Sequence, residues 1–203
     1  MYSSERAKTI VKKDVAHLSA GIEDNVMLTA VRFDKSINGN SFIEFKFEKE
    51  GKLLTHTEWE PSKRSDETEE SFQNKCDNQF SRIEQILKCY YPNAEDRKFI
   101  GENFTQFAQW VTEMLNKADL TTLLRVKIVY NNSGYTTLPK YAKYTFIEPM
   151  SLVNENKSVI VKLGIDQFEK PIVADLEKSN PSPFSMGSSV DENNSADPNG
   201  LPF

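Results

Sequence analysis

Residues 120 to 147 carry four cations, Arg125, Lys127, Lys140 and Lys143, with four of the seven tyrosines, Tyr130, Tyr135, Tyr141 and Tyr144, and no acid. That mixture suits a polyanion with exposed bases. Cations meet the phosphates of a single strand, and bases stack on flat side chains for on the order of 1–3 kcal/mol each. Alternation along Leu124 to Tyr130 sets Arg125 and Lys127 on one strand face, opposite Leu124, Val126 and Ile128, so both are expected to face solvent or phosphate. The plainer alternative is that tyrosine is a good strand former and that Lys and Arg decorate any sheet. Tyr130, on the apolar side, reads equally as core.

Earlier in the chain, Trp59 alternates in phase with Thr55 and Thr57, away from His56, Glu58 and Glu60. It is either a stacking platform or the anchor of an apolar layer. Arg32 and Lys46 add two further phosphate contacts of low specificity. A catalytic reading starts from the same region, because Asp34 followed by Glu44-Phe45-Lys46 resembles the acid plus Glu-x-Lys constellation of restriction-like nucleases. There, carboxylates hold Mg²⁺ and the lysine assists the nucleophile. The proline that usually precedes the acid is missing, and Glu-x-Lys arises readily in charged strands, so a non-catalytic protein is the stronger expectation. His17, His56, Cys76 and Cys89 are the only soft ligands and are scattered, so no metal or other cofactor is expected. The chain has no P-loop, Gly-x-Gly-x-x-Gly turn or Gly-x-Ser-x-Gly elbow.

The elements that must position these residues follow from periodicity. Residues 22–33, 41–48 and 53–60 read as three strands in meander order, turned at Asn38-Gly39-Asn40 and Glu50-Gly51-Lys52. Phe72, Cys76, Phe80, Ile83, Leu87 and Tyr90 form one helical stripe, on a helix beginning near Ser65. Ile100, Phe104, Phe107, Val111 and Leu115 form a second, on a helix over 95–117. Strands resume at 124–130 and 138–147, and 158–164 adds a short one. Three strands, helices, then strands is the order of an α+β oligonucleotide-binding barrel of five strands, with an elaborated helical segment, 62–119, between strands three and four.

Ser36 to Phe42, Thr55 to Pro61 and Gly134 to Tyr141 resemble hairpin and strand segments of phage-encoded single-stranded DNA-binding proteins, a likeness spanning roughly 21–150 plus the C-terminal tip. The resemblance implies sequence-independent binding of displaced single strands during phage DNA replication, recombination or repair, in the cytoplasm of the bacterial host. It also implies that the acidic C-terminal tail recruits replication and recombination proteins. Asp191, Glu192 and Asp197 precede an apolar tip, Leu201-Pro202-Phe203, suited to capture of a terminal carboxylate and a ring by a basic pocket. An ordinary frayed end is the plain alternative.

Composition agrees with one domain and appendages. Of 203 residues, 38% are hydrophobic and 27% charged, enough for one good core. The expected organisation is a basic arm over 1–20, a domain over 21–174, and a disordered acidic tail over 175–203. The net charge of −5 looks wrong for a nucleic-acid binder until it is divided: from Asp175 onward five acids face one base, which leaves the body nearly neutral. No apolar run approaches the ~20 residues of a membrane span, and no signal-peptide core follows the first cations, so an intracellular protein with no membrane partner and free thiols is expected. A homo-oligomer stays open, as does a protein-binding scaffold without affinity for DNA.

Overall fold

The computed structural model describes residues 15–171; the expectations placed on residues 1–14 and on the acidic tail, its tip included, lie outside them. The three-strand meander is present. β1 (Gly21–Lys35) pairs antiparallel with β2 (Ser41–Lys49), and β2 with β3 (Lys52–Trp59). The β2–β3 connection is a two-residue loop, Glu50-Gly51, in which both residues have positive φ (51° and 75°). A type I′ hairpin requires that conformation, which Gly51 adopts without strain.

β1 is long because it serves two partners. Its C-terminal part, from Met27, runs along β2, whereas Gly21–Val26 pairs with β4 (Leu124–Tyr130). Register breaks at Glu23/Val26 and Leu28/Ala30 bend it between them, helped by Asn25 at φ 60°. β4 also pairs with β5 (Thr136–Thr137) and β6 (Ile147–Pro149). The result is an open antiparallel sheet of six strands, ordered β3-β2-β1-β4-β5 with β6 on β4. No ladder closes β3 onto β5 among the described residues, so the ladder differs from a five-stranded closed barrel.

α1 (Glu69–Lys88) starts where Thr68 Oγ1 accepts from Ser71 N, four residues later than the run of acids suggested. The second expected helix divides. Residues 94–97 form a single 3₁₀ turn, and α2 (Phe104–Asn116) begins only after Asn103 Oδ1 caps Gln106 N at 3.0 Å. Ile100 is thereby left off the helix and fully exposed. Phe107, Ala108, Val111 and Leu115 of α2 join Ile83, Ile86 and Leu87 of α1 and the inward rows Val26, Leu28, Ile43, Phe45, Phe47, Leu54, Leu124, Val126 and Ile128 in one core. Each of these side chains larger than Ala108 contributes roughly 1.5–3 kcal/mol.

Two expected strands are missing for one reason: side chains take the backbone groups that a ladder would use. Over 138–147, Pro139 has no N–H, Arg82 donates to Lys140 O, and Gln85 donates to Ala142 O and Tyr144 O while accepting from Phe146 N. The segment lies on α1, and β6 starts only at Ile147. Over 158–164, Glu148 takes Val159 N, and no strand forms. A five-residue helix, α3 (Met150–Asn154), follows β6. No described helix is long and apolar enough to cross a membrane.

Candidate nucleic-acid interface

A groove of about 480 Å³ opens between the end of β3, the middle of α1 and the 140–143 segment. Trp59 and Tyr141 line it together with Lys75, Arg82, Lys140 and Lys143. Its aromatic residues come from a strand end and a loop, and its cations from a helix and the same loop.

Strand alternation sends His56 and Glu58 inward and turns Trp59 outward, where it is 46% exposed. Trp59 is therefore a surface ring. It lies opposite Phe42 on β2 with centroids 5.0 Å apart, and the Arg32 guanidinium lies 5.5 Å from the Phe42 ring. Arg32 and Lys46 occupy successive rows of the same outer sheet face as Trp59.

Behind Trp59 a buried polar cluster fixes the groove. Glu58 accepts two hydrogen bonds from Arg82, at 2.7 and 2.8 Å, and one from Gln79 at 3.0 Å; Gln79 also donates to Trp59 O at 2.8 Å. His56 contacts Glu58 at 3.3 Å through Nε2 and the Thr137 hydroxyl at 2.9 Å through Nδ1, so it ties β3 to β5. Burial works against ionisation of Glu58, but the bonds from Arg82 and His56 outweigh it and hold the carboxyl well below the usual glutamate range. Arg82 is thus neutralised in place, and its remaining nitrogen holds Lys140 O.

Lys75 is likewise engaged, paired at 2.7 Å with Glu67, whose carboxyl it holds at about 2. Lys140 and Lys143 are exposed and have no ion-pair partner among the described residues. These two supply the charge of the groove that an incoming anion would meet uncompensated.

Lys127 corrects the sequence reading. It does not face solvent: it is fully buried, with Nζ 2.8 Å from Asp166 Oδ2 and 5.5 Å from the centre of the Tyr141 ring. The chain returning through 141–166 covers the outer face of β4, which single-strand alternation cannot register. Burial opposes the charge on Asp166, but Lys127, Leu163 N and the Tyr141 hydroxyl together hold its carboxyl below the ordinary range. Arg125 is also spoken for, gripping Asp24 at 2.6 and 2.8 Å and Ser158 at 3.0 Å.

The tyrosines separate in the same way. Tyr141 is half-buried, donates to Asp166 at 3.0 Å and meets Tyr144 edge-on at 5.5 Å; Tyr144 and Tyr135 are exposed. Tyr130 is half-buried and lines no described groove. Of the residues singled out by sequence, the structure gathers Trp59, Lys140, Tyr141 and Lys143 into the groove and Tyr144 beside Tyr141. Arg125, Lys127 and Tyr130 stay apart, and Tyr135 stands on its own turn. Lys75 and Arg82 were missed, though Lys75, Gln79 and Arg82 fall at helical spacing beside the apolar stripe of α1.

The acid plus Glu-x-Lys constellation is internally paired. Arg32 bridges Glu44 at 2.7 Å and Asp34 at 2.9 Å, and Lys46 Nζ lies 3.6 Å from Glu44. The Arg32 bond holds Glu44 below the usual range, so the carboxylates spend their charge on a fixed guanidinium. Among the described residues no group of three or more His, Cys, Asp or Glu is placed to hold a metal ion. Cys76 and Cys89 are both free thiols, and burial pushes Cys89 up to about 12. In comparisons with known proteins, no family model matches the chain, and no match is found among curated proteins or solved structures.

Proposed function

We propose that the protein binds single-stranded DNA without sequence preference, protects displaced strands in phage DNA replication and recombination, and does so without catalysis. The observation that carries this reading is the pairing of an exposed Trp59 and the edge of Tyr141 with two uncompensated lysines, Lys140 and Lys143, in one groove. A ring takes a base and the lysines take its flanking phosphates. Lys46, and Arg32 beyond its pairing with Glu44 and Asp34, extend the surface along the outer face of β1 and β2, with buried Phe42 backing Trp59.

What supports an oligonucleotide-binding architecture is the strand plan, a three-strand meander followed by helices and further strands, with β1 pairing first with β4 and then with β2. In such folds the face of strands two and three carries the nucleic acid, and Trp59 ends β3. The His56–Thr137 bond brings β3 and β5, the two ends of the ladder, into contact. Within the proposal, Asp191, Glu192, Asp197 and the Leu201-Pro202-Phe203 tip recruit replication and recombination proteins.

A fluorescence titration with poly(dT) at several salt concentrations tests the reading. Tryptophan emission is expected to fall on binding, and affinity to fall as salt rises, because phosphate contacts release counterions. No binding at low salt would refute it in favour of a protein-binding scaffold, and saturable binding that prefers duplex would refute it in favour of a duplex binder. Labelled DNA incubated with Mg²⁺ or Mn²⁺ is expected to stay intact; cleavage lost in Glu44→Ala would instead make the protein a nuclease.

A further inference from the structure

A second, larger groove of about 640 Å³ lies between α1 and the segment leading into α2, sharing only Pro61 and Gln79 with the first. Its chemistry is opposite. The floor is aromatic, with Phe72, Phe80, Phe99 and Phe104 among its lining, and the remaining charged residues are Glu60, Asp77 and Glu102. Among the described residues no Lys or Arg lines it, and none of the three carboxylates has an ion-pair partner. Ile100, fully exposed, stands at its margin. Apolar surface of this kind rimmed by like charge is a mark of an interaction site, and the charge selects a cationic, apolar partner.

One segment of this chain has that composition. Residues 1–14 hold Arg6, Lys8, Lys12 and Lys13 against Glu5 and Asp14, with Tyr2, Ile10 and Val11 as apolar side chains. The described chain also shows where that segment leaves the fold. Leu53 N donates to Ala16 O and Leu18 N donates to Leu53 O, both at 2.9 Å, so the chain here runs parallel to β3. Residues before Ala16 therefore depart past the Lys52 end of β3, whereas the acidic groove begins at Glu60, beyond the other end. Seven residues of strand separate Leu53 from Glu60, about 23 Å at ~3.3 Å per residue. Ile10 and Val11, six or seven residues before His17, span at most ~21–25 Å even if fully extended back along the strand. Only an arm that reversed at Ala16 and stayed fully extended along the whole of β3 would bring them level with Glu60 of its own chain, whereas a second copy's arm meets the groove from outside without that constraint.

We propose that the acidic aromatic groove takes residues 1–14 of a second copy of the chain, with Ile10 and Val11 on the aromatic floor and the flanking lysines against Glu60, Asp77 and Glu102. The contact is heterologous, arm to groove, and leaves each copy with one arm and one groove to offer. It is independent of the nucleic-acid groove and stands whether or not that site binds DNA.

Sedimentation of the full-length protein over a concentration series, without nucleic acid, tests it. Self-association at micromolar concentrations that weakens as salt rises is expected. Asp77→Lys with Glu102→Lys, and separately Lys8→Glu with Lys12→Glu and Lys13→Glu, should each weaken association at least tenfold while the melting temperature holds. Mixing the two charge-reversed proteins should restore association, because the native arm of one then meets the native groove of the other and the reversed arm meets the reversed groove. A wild-type chain that stays monomeric at every concentration overturns the proposal. So does association that neither set of reversals weakens, or that the mixture fails to restore.

Discussion

Two lysines that look alike in sequence, Lys127 and Lys140, are used in opposite ways. Lys127 lies in the middle of β4, where core covers one face and the returning 141–166 segment covers the other, and its charge is spent on Asp166. Lys140 lies on a segment whose backbone is held by α1, so its ammonium is left in solvent beside Trp59. The difference teaches that a cation counted in a sequence becomes usable charge only where its element leaves a face uncovered. Here the buried pair still serves the groove, because Asp166 anchors Tyr141 and Lys127 lies near its ring.

The largest expected effect breaks the buried half of that comparison. Lys127→Ala leaves the Asp166 carboxylate buried without its cation, and removing one partner of a buried pair typically costs ~3–5 kcal/mol. At roughly 2–4 °C per kcal/mol for a chain of this size, thermal unfolding should shift down by on the order of 10 °C. Replacing both partners, Lys127→Met with Asp166→Leu, should recover much of the loss, since a well-packed apolar pair avoids the desolvation cost. A Lys127→Ala protein that melts like the parent, with weaker DNA binding alone, would mean the lysine serves phosphate after all.

The exposed half is tested by binding rather than melting. Trp59→Ala should weaken poly(dT) binding by about 1–3 kcal/mol, remove most of the quenching and leave Trp110 as an unresponsive reporter. A smaller change is expected for Lys140→Ala with Lys143→Ala: for single strands the slope of log affinity against log salt should flatten by roughly 1.4, at ~0.7 for each phosphate no longer neutralised. Melting should hold within ~0.5 kcal/mol, as for other exposed substitutions. An unchanged salt slope would move the phosphate-binding surface elsewhere, with Arg32 and Lys46 the next to test.

How much of this was legible in sequence depends on how local the signal was. The meander was, because alternation in Ser41 to Glu48 and the Glu50-Gly51 loop are local and the pairing register follows from them. The phase of Trp59 with Thr55 and Thr57 was legible too, but not which face that phase turned to solvent, because the sheet's covered side is set by helices further along the chain. What failed required knowledge of partners distant in sequence. The strand expected over 138–147 was displaced by Arg82 and Gln85, some sixty residues earlier, and Lys127 was buried by Asp166, which no window around β4 contains. The helix expected over 95–117 failed more locally, at Gly101 and the Asn103 cap, a signal present in the sequence but outweighed by the periodic placement of Ile100. Two of the groove's four cations, Lys75 and Arg82, lay on a helix read only for its apolar stripe.

The finest test of the comparison is acid titration of stability. Asp166 and Glu58 both have carboxyls held below their ordinary values in the fold, so the folded protein binds fewer protons than the unfolded chain as pH drops through the carboxylate range. Their contribution is therefore complete above the unfolded values near 4 and is lost as pH falls further. Between about pH 6 and 8 neither carboxylate changes charge, and the melting temperature should be flat with respect to both. Below pH 4 the parent should lose stability faster than the Lys127→Met, Asp166→Leu protein, which keeps Glu58 but no longer has an Asp166 to protonate. Parallel acid limbs for the two proteins would show that the buried pair contributes nothing through its charge. That outcome would remove the physical basis for contrasting Lys127 with Lys140.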